Sequence, residues 1–154
     1  MRDVADIAAE MRDQCPAMRV RAASRMLARI YDEALRGVGL EMSQVPVLAA
    51  VALQGDRGLK VTDIARALVM DRTSVTRAIR PLERRGLLRV ARDPDDARAR
   101  VVIVSRAGER TLREAYPRWK AATRRIRAAF GAGRLDALRA ELLALVAAAD
   151  RMTR

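Results

Sequence analysis

Histidine is absent from this 154-residue chain, and cysteine occurs once, as Cys15. Without histidine and with a single thiol, the usual acid–base, nucleophilic and zinc constellations cannot be assembled. Neither a phosphate-binding glycine loop nor a cluster of metal ligands stands in their place. The sequence therefore argues against an enzyme, and it calls for no cofactor and no metal. A lone cysteine forbids an internal disulfide and fits a reducing compartment. Long apolar runs are also missing: none approaches the ~20 residues that span a bilayer. The charged start MRDVADIAAEMRDQC lacks the apolar core of a signal peptide. The expectation is a cytoplasmic protein with no membrane partner.

What the chain has in excess is positive charge. Lys and Arg number 31 against 19 Asp and Glu, a formal charge of +12 with an isoelectric point near 11.4. A polyanion is the default partner for such a balance, nucleic acid before an anionic membrane surface. The excess is confined to the middle of the chain. Residues 1–56 carry 7 basic and 8 acidic side chains, 57–100 carry 12 and 6, 101–130 carry 8 and 2, and 131–154 carry 4 and 3. Two segments share the charge, so charge alone does not say which of them touches the partner.

Apolar residues recur at helical spacing from Cys15 onward, as in Ala23, Met26, Leu27, Ile30, Ala34 and Leu35, until Gly37 and Gly39 stop the pattern. Ser43 reads as the N-cap of a second helix, SQVPVLAAVALQG, with Pro46 in the first turn, where its missing N–H does least harm. A short helix is predicted at about Thr62–Leu68, then the connection VMD, then a longer helix from about Arg72 to Arg85. Beyond Gly86 the period changes. LLRVAR and RVVIV are short, rich in branched residues and separated by the turn-forming DPDDA, the pattern of a two-stranded hairpin. A helix from Ala107 to about Phe130, broken early by Pro117, and a last helix at about Leu135–Met152 complete the chain. Leu135, Leu138, Leu142, Leu145 and Ala149 form the apolar stripe of that last helix.

Three helices followed by a hairpin make a winged helix-turn-helix. The fold class is thus mainly α with a small β-hairpin. The winged unit spans 38–105, and helices that suit dimerisation flank it at 1–37 and 106–154. In DRTSVTRAIRPLERRGLL, residues 71–88, Asp71 is a good N-cap, so Arg72, Thr73 and Ser74 fall in the first turn, the end with free N–H groups that attracts phosphate. Three- and four-residue spacing places Thr73, Thr76, Arg77 and Arg80 on one face and turns Val75, Ile79 and Leu82 toward the core. The exposed face offers hydroxyls for phosphate or base edges and arginines that grip guanine. A solvated face would mix in Glu and Lys, yet no acidic residue lies between Arg72 and Arg80. Pro81 removes the N–H that would bond the carbonyl of Arg77, so a local kink is expected after the base-reading turn. In the hairpin, DPDDARAR sets Arg98 and Arg100 where a ribbon tip reaches a minor groove, with Asp96 as the carboxylate expected to orient Arg98. The alternative is an acidic turn that contacts nothing.

The run from Leu59 to Glu109 resembles the MarR family of bacterial regulators. It carries Ile64-Ala65 in the first helix of the motif, and Thr73, Thr76, Arg77, Leu82, Glu83, Gly86 and Leu87 in the recognition segment. Asp93, Pro94, Asp96 and Arg98 follow in the wing, and V-S-x-A-G stands in place of L-T-x-x-G. Ala97 occupies a wing position where many relatives have arginine. The resemblance implies a homodimer on palindromic double-stranded DNA, usually a repressor released by a small phenolic, amphipathic or oxidising signal. Thr62 would contact the backbone. Arg72, Thr73, Ser74, Thr76, Arg77 and Arg80 would address the major groove or its phosphates, with Arg98 and Arg100 in the wing. The apolar stripes of the first and last helices independently allow dimerisation.

An effector site would lie between the dimer helices and the winged unit, near Tyr31, Tyr116 and Trp119, with Arg25 or Arg29 for a carboxylate; at helical spacing such aromatics are more often ordinary core. Cys15 sits at a helix start, as in the hydroperoxide-sensing branch, where Tyr31 matches one thiolate-holding tyrosine but Arg21 replaces the other. The plainer reading is a small residue without chemistry. The main rival to a sequence-specific regulator is a winged helix that binds DNA without sequence preference or docks on protein.

Overall fold

The computed structural model describes residues 2–93, 95–96 and 98–153. Its order is α1 (Val4–Gln14), α2 (Pro16–Leu35), a 3-10 turn (Arg36–Val38), α3 (Val45–Ala52), a 3-10 turn (Gly55–Arg57), α4 (Val61–Ala67), α5 (Arg72–Arg84), β1 (Leu88–Arg92), β2 (Arg100–Val104), α6 (Arg106–Phe130) and α7 (Ala132–Met152). This is the expected mainly helical, winged helix-turn-helix architecture. Among the described residues no helix is long and apolar enough to cross a membrane.

One core serves the winged unit. Leu48 and Val51 from α3, Ile64 from α4, and Val75, Ile79 and Leu82 from α5 are buried together with Leu35 at the end of α2, Leu88 and Val102 of the hairpin, and Ala115 of α6. Each large side chain buried there contributes roughly 1.5–3 kcal/mol, which is enough to seat short helices that would not survive alone. Between α4 and α5 the chain turns through Val69, whose φ of +52° is a left-handed conformation that a β-branched residue seldom takes. The Met70 amide closes that turn on the carbonyl of Ala65 at 2.9 Å.

The hairpin pairs antiparallel from Leu88 with Val104 to Arg92 with Arg100. Leu59 adds a third, one-residue rung on β2, exchanging two 2.9 Å bonds with Val102. Gly58 makes that approach possible: its φ is +67°, and a Cβ there would lie 2.6 Å from both the Val102 carbonyl oxygen and Ile103. The start of α6 is fixed to the base of the hairpin in the same way. Ser105 accepts the Gly108 amide at 3.0 Å and donates its hydroxyl to the Gly86 carbonyl at 2.5 Å. A Cβ on Gly108 would collide with the Leu87 carbonyl oxygen. The S-x-x-G step of the sequence is thus a cap joined to a close packing contact.

Several boundaries differ from expectation, each for a physical reason. A helix, α1, precedes the point where the periodic pattern begins, and Cys15 is the joint where α1 ends and α2 starts at Pro16. Ser43 does not cap α3. Its hydroxyl donates to Glu41 at 3.3 Å, Gln44 takes the cap position, and Pro46 still lies in the first turn. Pro117 does not break α6, which runs unbroken from Arg106 to Phe130. The carbonyl it leaves without a donor belongs to Arg113 on the exposed side, where water can serve it. Likewise α5 continues helically through Pro81 to Arg84. Gly131 alone interrupts the last two helices, and α7 begins at Ala132, earlier than the leucine stripe suggests.

Candidate nucleic-acid interface

Asp71 caps α5 as expected. Its carboxylate accepts the Ser74 amide at 2.7 Å and the Ser74 hydroxyl at 2.6 Å. The hydroxyl first, then the amide, hold the Asp71 carboxyl below the usual carboxylate range. The first turn of α5 therefore already carries an anion from its own chain. Ser74, placed among the DNA-facing residues by its position, is half-buried and committed to this cap. A phosphate approaching α5 meets side chains before it meets free amides.

Those side chains are gathered as the spacing predicts. Arg72, Thr73, Thr76, Arg77 and Arg80 line one open groove of about 360 Å³ on the exposed face of α5. The Thr76 hydroxyl donates to the Arg72 carbonyl at 2.8 Å, which leaves its lone pairs to accept. Among the described residues Arg72, Arg77 and Arg80 have no carboxylate within ion-pair distance, although the chain carries many such pairs elsewhere. Three unneutralised guanidinium groups beside two hydroxyls form a surface complementary to phosphate and to the acceptor edge of guanine. Thr62, in the first turn of α4, is also exposed.

The wing departs from expectation at Asp96. Its carboxylate accepts the backbone N–H of Arg98 at 3.0 Å, a local turn that shapes the ribbon tip without holding the guanidinium. Arg98 and Arg100 are exposed. Pro94 and Ala97 lie outside the described residues. The carboxylate that ties down the wing is Asp93, 9% exposed, which accepts Lys60 Nζ at 2.9 Å and the Asp95 amide at 2.9 Å. Lys60 chiefly, with the Asp95 amide, holds the Asp93 carboxyl below its ordinary range, and Asp93 raises the Lys60 ammonium in turn. A pair 33 positions apart leaves no local periodicity to read. A second contact of this kind joins Arg85, at the end of α5, to the carbonyls of Val38 and Gly39 beyond α2.

The aromatics named for an effector form a stack. Trp119 lies between Tyr31, at 6.5 Å, and Tyr116, at 6.1 Å, and Tyr31 bonds Thr123 at 3.0 Å. An apolar groove of about 660 Å³ also touches Tyr31, lined by Val20, Leu27, Leu138, Leu142 and Val146 of α2 and α7 among others. Of the five residues named, Tyr31 lines it. Arg25 is exposed elsewhere on α2, and Arg29 faces a separate polar groove with Asp32, Glu33 and Arg36. Cys15 is half-buried in a groove with Ile7, Glu10, Met11 and Met18. A carboxylate and apolar side chains are the reverse of the electropositive setting that activates a thiol.

Comparison with known proteins supports the winged helix-turn-helix fold. Residues 38–99 match the model of the MarR family. No curated protein sequence matches the chain. Among solved structures, the M. tuberculosis transcriptional regulator MosR is 28% identical, with a TM-score of 0.78 over 90% of this chain and 98% of that one. The same regulator in complex with DNA gives 0.70 over 87% and 98%. A probable transcriptional regulator from Pseudomonas aeruginosa is 26% identical, with a TM-score of 0.76 over 86% and 98%. The repressor CouR bound to a 23-mer DNA duplex, at 23% identity, shares the fold with a TM-score of 0.77 over 88% and 95%.

Proposed function

We propose, on the match of residues 38–99 to the MarR family model and the likeness of the whole fold to transcriptional regulators, that the chain is a MarR-family regulator that binds a palindromic DNA site as a homodimer and represses transcription until a small molecule releases it. The observation that carries the reading is the face of α5, where Arg72, Arg77 and Arg80 stand without counter-charges beside Thr73 and Thr76. These residues address the major groove. Thr62 meets the phosphate backbone, and Arg98 and Arg100 bring the wing to the flanking minor groove. Two-fold symmetry sets the half-sites about one helical turn apart, ~10 base pairs.

Dimerisation is supported by apolar surface that the single chain leaves uncovered. Val4 and Met11 of α1 and Leu143 and Met152 of α7 are 77%, 66%, 71% and 86% exposed, and patches of this kind mark interfaces. The two terminal segments, 1–37 and 106–154, act as the dimerisation arms of one integrated fold. The apolar groove between α2 and α7 suits a small aromatic or amphipathic effector, with Tyr31 in its wall. A relative of the same fold, CouR from Rhodococcus jostii RHA1, is known bound to p-coumaroyl-CoA.

Arg77→Ala tests the reading directly. A guanine contact at Arg77 is worth ~1–3 kcal/mol, so the variant loses roughly 5- to 150-fold in affinity and relaxes preference at one position of a sequence enriched from random DNA. Uniform loss across all sequences makes Arg77 a phosphate contact. Failure of the unaltered protein to enrich any sequence favours the non-specific module instead.

A further inference from the structure

The recognition helix and wing account for one of the two basic segments; the other, residues 101–130 with 8 cations against 2 carboxylates, belongs to α6. Its charge is ordered. Arg106, Arg110, Arg113, Lys120 and Arg124 recur at steps of four, three, seven and four, which keeps them on one side of the helix. All five are exposed, whereas the buried residues of α6, Gly108, Ala115 and Ala122, lie on the opposite side. Arg106, Arg110 and Arg124 have no carboxylate within ion-pair distance among the described residues. Arg113 reaches Glu109 only at 3.7 Å, and the Lys120 ammonium stands 5.7 Å over the ring of Tyr116. At 1.5 Å per residue the stripe is ~27 Å long, the rise of about eight base-pair steps.

We propose that this outer face of α6 is a second DNA-contacting surface, which binds the phosphate backbone of duplex outside the half-sites without reading its sequence. Charge decides the kind of occupant. Five cations with one weak counter-ion cannot be buried against an apolar partner face without a large desolvation penalty, so the stripe stays outside the dimer interface. It matches a ligand with regularly spaced negative charge. DNA has one such charge per ~1.7 Å of axis, and each phosphate neutralised releases condensed counterions. The face also offers little for base reading: apart from the phenol of Tyr116, neither hydroxyl nor amide side chains stand among the cations, in contrast to the threonines of α5.

The inference rests on DNA being the partner, and one experiment separates the two questions. The full chain and the variant R110Q/R113Q/K120Q/R124Q are titrated with salt on a long random-sequence duplex and on a sequence enriched from random DNA. The variant R2Q/R12Q/R139Q/R151Q, equal in charge change but outside α6, serves as control. Glutamine is a good helix former; should the quadruple variant not fold, R110Q/R113Q and K120Q/R124Q each report half the stripe. The expected result is a salt slope shallower than the control's by ~0.9 for each phosphate no longer neutralised, about 2–4 in all, with the enriched sequence unchanged. A slope equal to the control's overturns the inference, including the case where the variant instead fails to bind an acidic protein. If the unaltered protein binds no DNA, both the functional reading and this inference fail. If it binds but enriches no sequence, only the sequence-specific reading fails.

Discussion

Asp71 and Asp93 each hold a structural joint through an ionised carboxylate, one at the start of α5 and one between the wing and Lys60. Both carboxyls titrate below their ordinary range in the folded chain, so their stabilisation is complete above the unfolded value and is lost as pH falls through the folded one. Stability should decline below about pH 4. Asp71→Asn, which still caps but cannot ionise, should flatten this acid limb in thermal melts across that range; an unchanged limb would assign it to other groups. Val69 makes the opposite kind of contribution. Relief of a left-handed conformation is worth ~1–2 kcal/mol and is partly offset by the ~0.5–1 kcal/mol entropy cost of glycine. Val69→Gly should therefore raise unfolding free energy by up to about 1.5 kcal/mol in a denaturant titration, and a decrease would mean that the valine packs usefully despite being 74% exposed.

The elements of the winged unit were legible because each carries a local signal. The α5 cap, its core face of Val75, Ile79 and Leu82, and the change of period at the hairpin can all be read within a dozen residues. What was not legible depends on distant surroundings. Pro117 looks like a break until the fold shows that the carbonyl it orphans is on the exposed side, and Asp96 looks like the carboxylate that orients Arg98 until it is found holding a backbone N–H instead, with Asp93 beside Lys60. Gly108 joins both kinds of information, since its spacing from Ser105 is local but the Leu87 carbonyl against it is not. Gly108→Ala should force α6 off the hairpin and cost about 1–3 kcal/mol or more. A chemical melt checks the magnitude, and a neutral result would show that the helix start shifts freely.

For the whole molecule, the separation of surfaces is the informative feature. Cationic faces on α5 and α6 occupy the middle of the chain, and uncovered apolar faces occupy its two ends. That division suits a dimer whose arms join while its basic faces remain open. Leu143→Glu, which puts a carboxylate on the uncovered apolar face of α7, should shift sedimentation toward the monomer and weaken binding to a two-half-site duplex far more than to a single half-site. A dimer of undiminished stability would place the interface elsewhere. The expectation of paired half-sites rests on family resemblance alone, because no single chain encodes a symmetry axis.

The most direct test of the account is binding of the purified protein to its own upstream intergenic DNA, titrated against salt with random DNA as competitor. The account predicts tight binding that survives the competitor and falls steeply with salt. Binding to that DNA and to every other sequence tried that the competitor abolishes would contradict it.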